Sequence, residues 1–200
     1  DTTTGAPEDA LRFAELARAA GAEYVDATVG GSSRQVRAGE AILICGGSDD
    51  AFGRCADLFA VLGRRAFHVG PAGSGARMKL VLNLVLGLNR AVLAEGLEFA
   101  RSSGIDPRVA LEILEAGPAY SRAMETKGPK MIDGAFEPEA RLSQHLKDVR
   151  LILSAGARQG ARLPLSALHA ELLAEVEAAG GGGLDNSAII RAFQTKPSDS

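Results

Sequence analysis

Apolar and polar positions keep one rhythm up to about Gly70 and another after it. Pro7-Glu8-Asp9 opens an amphipathic stretch carrying Leu11, Phe13, Ala14, Leu16 and Ala17, which Gly21 ends. Proline and acids in a first turn suit a helix N-terminus, and glycine suits its end. Residues 23–29 then read as a short strand ending in Gly30-Gly31-Ser32-Ser33, and residues 41–45 as a second strand closed by Gly46-Gly47. Ser48 or Asp49 can cap a helix over 51–62, and residues 65–69 give a third strand. Strands alternating with helices predict an α/β layer with a largely parallel sheet. Asp1-Thr2-Thr3-Thr4 has the look of a strand's exit.

Past Gly70 the pattern is helical throughout. Residues 75–103 predict one helix about 40 Å long. Its middle, 80–88, is apolar on nearly every side and is expected to be buried all round. Asp106-Pro107 starts another helix that Gly117-Pro118 ends. Gly128-Pro129, Asp133-Gly134 and Glu137-Pro138 predict short helices and turns over 119–138. Further helices follow over 141–159, from Pro164 to the run Gly180–Gly183, and over 188–193 after the cap Asp185-Asn186-Ser187. The expected organisation is an α/β region over 1–72, an all-α domain with a long central helix over 73–194, and a polar tail over 195–200.

Composition narrows the functions. A hydrophobic fraction of 46 % and a charged fraction of 24 % are ordinary for a globular chain. The net charge of −3 and the lack of a basic stripe argue against nucleic acid as a partner. The absence of Trp and 4 % aromatic content argue against a base-stacking platform. The contiguous apolar stretch within 80–88, broken by Asn83, falls short of the roughly 20 residues of a bilayer span, so no membrane association is expected. The polar N-terminus carries no signal-peptide pattern, and Cys45 and Cys55 read as free thiols, so a reducing cytoplasm is the expected location. His68, His145 and His169 share no metal-ligand spacing, and no metal is expected.

The candidate chemistry begins with Lys79. Lys79 and Asn83 are four apart and share a helix face. A desolvated lysine can take a hydroxyl proton as hydride leaves the same carbon, and its ammonium can return it. Asn83 could hold the substrate hydroxyl or carboxylate. The alternative is a solvated lysine and a satisfied core amide. Gly30, Gly31 and Ser32 follow a strand, where exposed N–H groups can bind a carboxylate, or the segment is a plain turn. Gly73 and Gly75 read as a tight entry to the long helix. Arg122 and Lys127 could neutralise an anionic substrate, with no special geometry in the sequence.

Four segments in register resemble the β-hydroxyacid dehydrogenase family, which includes 3-hydroxyisobutyrate and 6-phosphogluconate dehydrogenases. Asp1-Thr2-Thr3-Thr4-Gly5-Ala6-Pro7 is similar to the family's D-x-[ST]-[ST]-x-x-P, and Asp26-Ala27-Thr28-Val29-Gly30-Gly31-Ser32 to D-A-P-V-S-G-[GS]. Gly70-Pro71-Ala72-Gly73-Ser74-Gly75 through Lys79 to Asn83 is similar to G-x-x-G-x-G-x-x-x-K-x-x-x-N. His145-Leu146-Lys147-Asp148 is similar to a K-D pair of the helical domain. Beyond these four, Asp185-Asn186-Ser187-Ala188-Ile189 also resembles a family signature near the C-terminus. Thr28 and Gly30 stand where the family has proline and serine.

The resemblance implies the C-terminal part of a Rossmann-like sheet followed by the all-α domain. It implies an NAD- or NADP-dependent oxidoreductase acting on a small anionic hydroxy acid or semialdehyde carboxylate. Lys79 would be the general acid/base, with Gly30, Gly31, Ser32 and Asn83 at the substrate. Thr4 would lie beside the nicotinamide ribose and Lys147 toward the cofactor. Taken alone, Thr4 is equally a turn residue and Lys147 a salt-bridge partner. A homodimer through the helical domain is also implied. The family's strand, G-x-G-x-x-G and helix are not found here. The expectation is a piece of a longer dehydrogenase, with a short scaffold variant or a half supplied by another chain as alternatives. A catalytically silent dimerising or ligand-binding module is the competing function.

Overall fold

The computed structural model describes residues 1–194, so the tail expected from 195 lies outside the described residues. The chain divides into two compact units, Asp1–Asn83 and Leu84 onward.

In the first unit, α1 (Pro7–Ala19) starts on its proline with Glu8 and Asp9 in its first turn. Three strands follow, β1 (Asp26–Gly30), β2 (Ile42–Gly46) and β3 (Arg65–His68), in the order β1-β2-β3. β2 and β3 are parallel, but β1 and β2 are antiparallel, with Asp26 opposite Gly46 and Gly30 opposite Ile42. The expectation of a largely parallel sheet therefore holds for only one of the two pairings. The β1–β2 connection holds just the short helix α2 (Ser33–Arg37), which the apolar pattern does not predict. Parallel neighbours need a crossover of a dozen or more residues. On its other side β1 meets Asp1, whose amino group donates to the Val25 carbonyl (2.9 Å) while the Ala27 N–H donates to the Asp1 carbonyl (2.7 Å).

The single helix expected over 51–62 is two: α3 (Asp49–Arg54), capped by the Ser48 hydroxyl, and α4 (Ala56–Leu62), with the break at Cys55. Gly53, a poor helix former, lies just ahead of the break. Leu43, Cys45, Ala27 and Phe59 form the small core. Burial first, and the nearby Asp26 charge second, push the Cys45 thiol up to about 11.

Helix α5 (Ser74–Ser102) runs through the border of the units. It is not buried all round: Leu80 is, but Val81, Val85 and Leu86 are exposed. By length and composition α5 could cross a membrane, unlike the shorter contiguous stretch within it. Polar residues interrupt that stretch without lowering the helix average enough to exclude a span.

The second unit adds α6 (Pro107–Ala116), α7 (Arg122–Asp133), α8 (Leu142–Arg158) and α9 (Pro164–Ala178), then 3₁₀ turns over Gly181–Gly183 and Asn186–Ala192. Where short helices and turns were expected, α7 is continuous over twelve residues with Pro129 inside it. Proline clashes with the Cβ of the residue before it, and here that residue is Gly128. A Cβ on Gly128 would also lie 2.6 Å from Leu111 of α6. Leu93, Leu97, Leu142, Leu146, Leu173, Ile189 and Ile190 centre the core.

Candidate active site

In the first unit the chemistry gathers where α5 starts. Asp26, at the head of β1, is 3 % exposed. Its Oδ1 accepts the Gly73 N–H (2.8 Å) and its Oδ2 the Ala76 N–H (2.7 Å). A helix leaves its first N–H groups without intrahelical partners, and this carboxylate satisfies two amides at that end. The buried Thr28 hydroxyl lies 3.3 Å from both the Ile44 and Gly75 carbonyls. Glycine is required at this joint: a Cβ on Gly75 would lie 2.4 Å from the Asp26 carbonyl oxygen, and one on Gly46 would lie 2.8 Å from the Gly75 nitrogen.

On the helix so anchored, Lys79 is buried, with 9 % of its surface exposed, and Asn83 is half-buried one turn on. Gly30 ends β1 against the same helix. A Cβ there would lie 2.7 Å from Ile42 and 3.1 Å from Leu82, so the structure brings the Gly30 loop beside α5. Packing against Ile42 favours glycine where the resemblance expects serine. Gly31 is exposed. Ser32 caps α2: its Oγ accepts the Gln35 N–H (3.3 Å) and its own N–H donates to Gln35 Oε1 (2.8 Å). That N–H, offered as a carboxylate ligand in the sequence reading, is already used. Thr4 is half-buried in the segment before α1.

In the second unit Lys147 is exposed on α8, with Asp148 half-buried beside it. Lys127 is not placed to meet a substrate. It is buried, and its ammonium donates to both oxygens of the fully buried Asp185 at 2.9 and 3.0 Å. Asp185 also accepts the Ser187 N–H and hydroxyl and the N–H groups of Glu139 and Ala140. Burial raises the carboxyl's pKa, but the Lys127 and Ser187 hydrogen bonds and the Lys127 charge outweigh it and bring it to about 2. The Asp185-Asn186-Ser187 signature thus pins the chain at the end of the helical unit. Arg122 is exposed at the start of α7.

His145 of α8 and His169 of α9, which show no ligand spacing, come together with ring centroids 5.2 Å apart. Burial, then the Arg90 charge, lowers both, His145 well below the ordinary range and His169 to about 4. Gly87 of α5 makes room for them, since a Cβ there would lie 2.5 Å from His145 Nε2. His68 of β3 sits 2.9 Å from the Gly47 carbonyl oxygen through Nε2, stacked on Phe52. Among the described residues no group of three or more His, Cys, Asp or Glu could hold a metal.

The family described as NAD binding domain of 6-phosphogluconate dehydrogenase matches residues 1–70, and that described as NAD-binding of NADP-dependent 3-hydroxyisobutyrate dehydrogenase matches 73–193. The chain is 32 % identical to glyoxylate/succinic semialdehyde reductase 1 of Arabidopsis thaliana over 97 % of its own length and 67 % of the relative's. It is 33 % identical to 2-hydroxy-3-oxopropionate reductase of Escherichia coli over 97 % of its length and 66 % of the relative's. It thus spans about two thirds of these proteins. Among solved structures, the 3-hydroxyisobutyrate dehydrogenase of Mycobacterium tuberculosis with L-serine superposes with a TM-score of 0.88 at 25 % identity, covering 98 % of this chain and 69 % of that one. The homologue from Salmonella typhimurium gives 0.89 at 24 %, covering 96 % and 68 %. The chain belongs to the β-hydroxyacid dehydrogenase family of NAD(P)-dependent oxidoreductases.

Proposed function

We propose that the chain carries the proton-transfer centre of an NAD- or NADP-dependent enzyme that interconverts a small hydroxy acid and its aldehyde or oxo acid. The observation that carries this reading is Lys79, buried near the anchored start of α5 with Asn83 one turn on. A bound nicotinamide supplies hydride transfer. Lys79 takes the hydroxyl proton as hydride leaves the carbon, and in reduction its ammonium donates that proton to the new alkoxide. Asn83 offers an amide to the substrate's hydroxyl or carboxylate, and the exposed Gly31 offers backbone next to Gly30, which is packed beside α5. Substrates of the relatives' kind, glyoxylate or succinic semialdehyde, are small and anionic, so they suit a site with a buried lysine.

Thr4 and Lys147 fit a nicotinamide cofactor separately. Apart from its chain neighbours, nothing among the described residues lies within 4 Å of where a Cβ would stand on Gly5, so the backbone beside Thr4 is open to a bound group. Lys147 presents an exposed cation. Two copies would pair through α5, where Met78, Val85, Val92 and Phe99 recur every seven residues and are 40, 49, 67 and 73 % exposed. Apolar residues at that repeat form one stripe on a helix. Scattering should then report a dimer, and a Val92→Glu/Phe99→Glu chain should run as a monomer.

The test is NADPH or NADH fluorescence on the chain, followed by turnover with succinic semialdehyde and glyoxylate. Binding and turnover are expected, with Lys79→Ala lowering kcat by about 10²- to 10⁴-fold. No binding at millimolar cofactor overturns the reading for this chain taken alone, and full turnover by Lys79→Ala overturns it for Lys79. The silent binding module is favoured by one observation, the missing hydroxyl at Gly30 with Ser32 committed to its cap. Cofactor binding without turnover of any small hydroxy acid would establish it.

A further inference from the structure

We propose that Asp26 is the positioning residue for Lys79, fixing the start of α5 and placing a buried negative charge behind the lysine. The inference rests on the reading of Lys79 as the proton-transfer group. Asp26 is 50 residues from Ala76 and 47 from Gly73, yet its two oxygens hold the N–H groups of both. The close approaches at Gly46 and Gly75 leave that turn no slack. Lys79 follows Ala76 by three residues and Gly75 by four, so it stands one turn above the joint on the same face. Side chains on a helix lean toward its N-terminus, which aims Lys79 back toward the turn that Asp26 holds.

The charge has a consequence for proton transfer. The positive end of a helix dipole favours a neutral lysine near it, and a carboxylate at that end opposes the effect. Asp26 thereby helps keep Lys79 a proton donor in the reducing direction. Other titratable or charged groups near this joint include Tyr24 ahead of β1, Cys45 on β2, the Asp1 amino group, Asp9 on α1 and the exposed Arg77 on α5. Burial first and the Asp26 charge second raise both Tyr24 and Cys45, its neighbours on the sheet side.

The test follows Lys79 by NMR after reductive methylation with ¹³C, in a Cys45→Ala background that removes the buried thiol's titration. The Lys79 signal is assigned by its loss in Lys79→Arg. Asp26→Asn should lower the Lys79 midpoint by about half a pH unit, the scale of charge effects at helix ends. Thr28→Val disturbs the same joint without changing charge and should leave the Lys79 midpoint in place. In the chain with Asp26 intact, the Asp26 carboxyl carbon should inflect at the Lys79 midpoint, because coupling between two sites is reciprocal. An unmoved midpoint in Asp26→Asn, or an equal shift in Thr28→Val, overturns the proposal. If Asp26→Asn does not fold, a flat Asp26 signal through the Lys79 titration overturns it instead. Full turnover by Lys79→Ala would sink the catalytic reading, whereas an inactive Lys79→Ala with an unmoved midpoint would sink only the role of Asp26.

Discussion

Among the described residues each unit buries one carboxylate, and the two are satisfied differently. Asp26 takes amide hydrogen bonds from the start of α5, and Asp185 takes a lysine ammonium, a serine hydroxyl and three backbone N–H groups. The first arrangement fixes where a helix begins. The second ties Lys127 of α7, the chain before α8 and the last 3₁₀ turn to one point. A carboxylate held by amides at a helix start sets geometry for whatever that helix carries. One paired with a buried lysine commits its environment to that lysine, because removing either partner strands a charge.

The sharpest way to break the comparison is Lys127→Met. It leaves Asp185 buried without its cation and should cost about 3–5 kcal/mol in denaturant unfolding. A cost near zero would mean that the hydrogen bonds from Ser187, Glu139 and Ala140, with the Lys130 ammonium 4.0 Å away, suffice. Acid should come next. His169 titrates near 4 when folded against 6.5 for the free side chain, so the unfolded chain binds its proton first. Stability should be complete above pH 6.5 and fall between there and about pH 4, by on the order of 3 kcal/mol from this residue. Asp185, lowered to about 2 from 3.8, contributes stability that is lost only as the pH falls from about 4 to 2. His145, lowered in the same way, adds to the first loss, so thermal melts across that range should show the histidine loss before the Asp185 loss, and His169→Gln should shrink the upper one.

Gly87→Ala should cost about 1–3 kcal/mol by pressing a methyl group onto His145. A Gly87→Ala/His145→Ala pair should recover part of that, read as a raised Tm over Gly87→Ala alone. The smallest effect belongs to Thr28→Val, about 1 kcal/mol for its buried hydroxyl contacts, with the sheet intact by circular dichroism.

Local signals were readable in the sequence wherever a few neighbouring residues decide the outcome. Pro7 starts α1, Asp106-Pro107 starts α6, and the helical period after Gly70 gives α5 nearly to the residue. The antiparallel β1–β2 pairing was not readable, because strand direction depends on how a short connection turns. The break at Cys55 was missed because the apolar positions on either side keep one helical rhythm. The resemblance singled out Lys79 and Asn83, but Asp26 entered only as a motif letter. Its partners lie 47 and 50 residues away, and no local period encodes them. The same distance hid Lys127 and Asp185, 58 apart. The heptad stripe of α5 was legible as apolar residues, but its exposure depends on what the rest of the fold leaves uncovered.

The border between the two units falls inside a helix, between Asn83 and Leu84 of α5. That placement governs how the protein can be dissected. A protease or a gene engineer seeking to part the units at their border would have to sever an unbroken helix. Such a cut leaves four carbonyls on one product and four amides on the other without their partners. Separate expression of either half should therefore succeed only if it carries helix beyond its own border, and limited proteolysis should leave this boundary uncut.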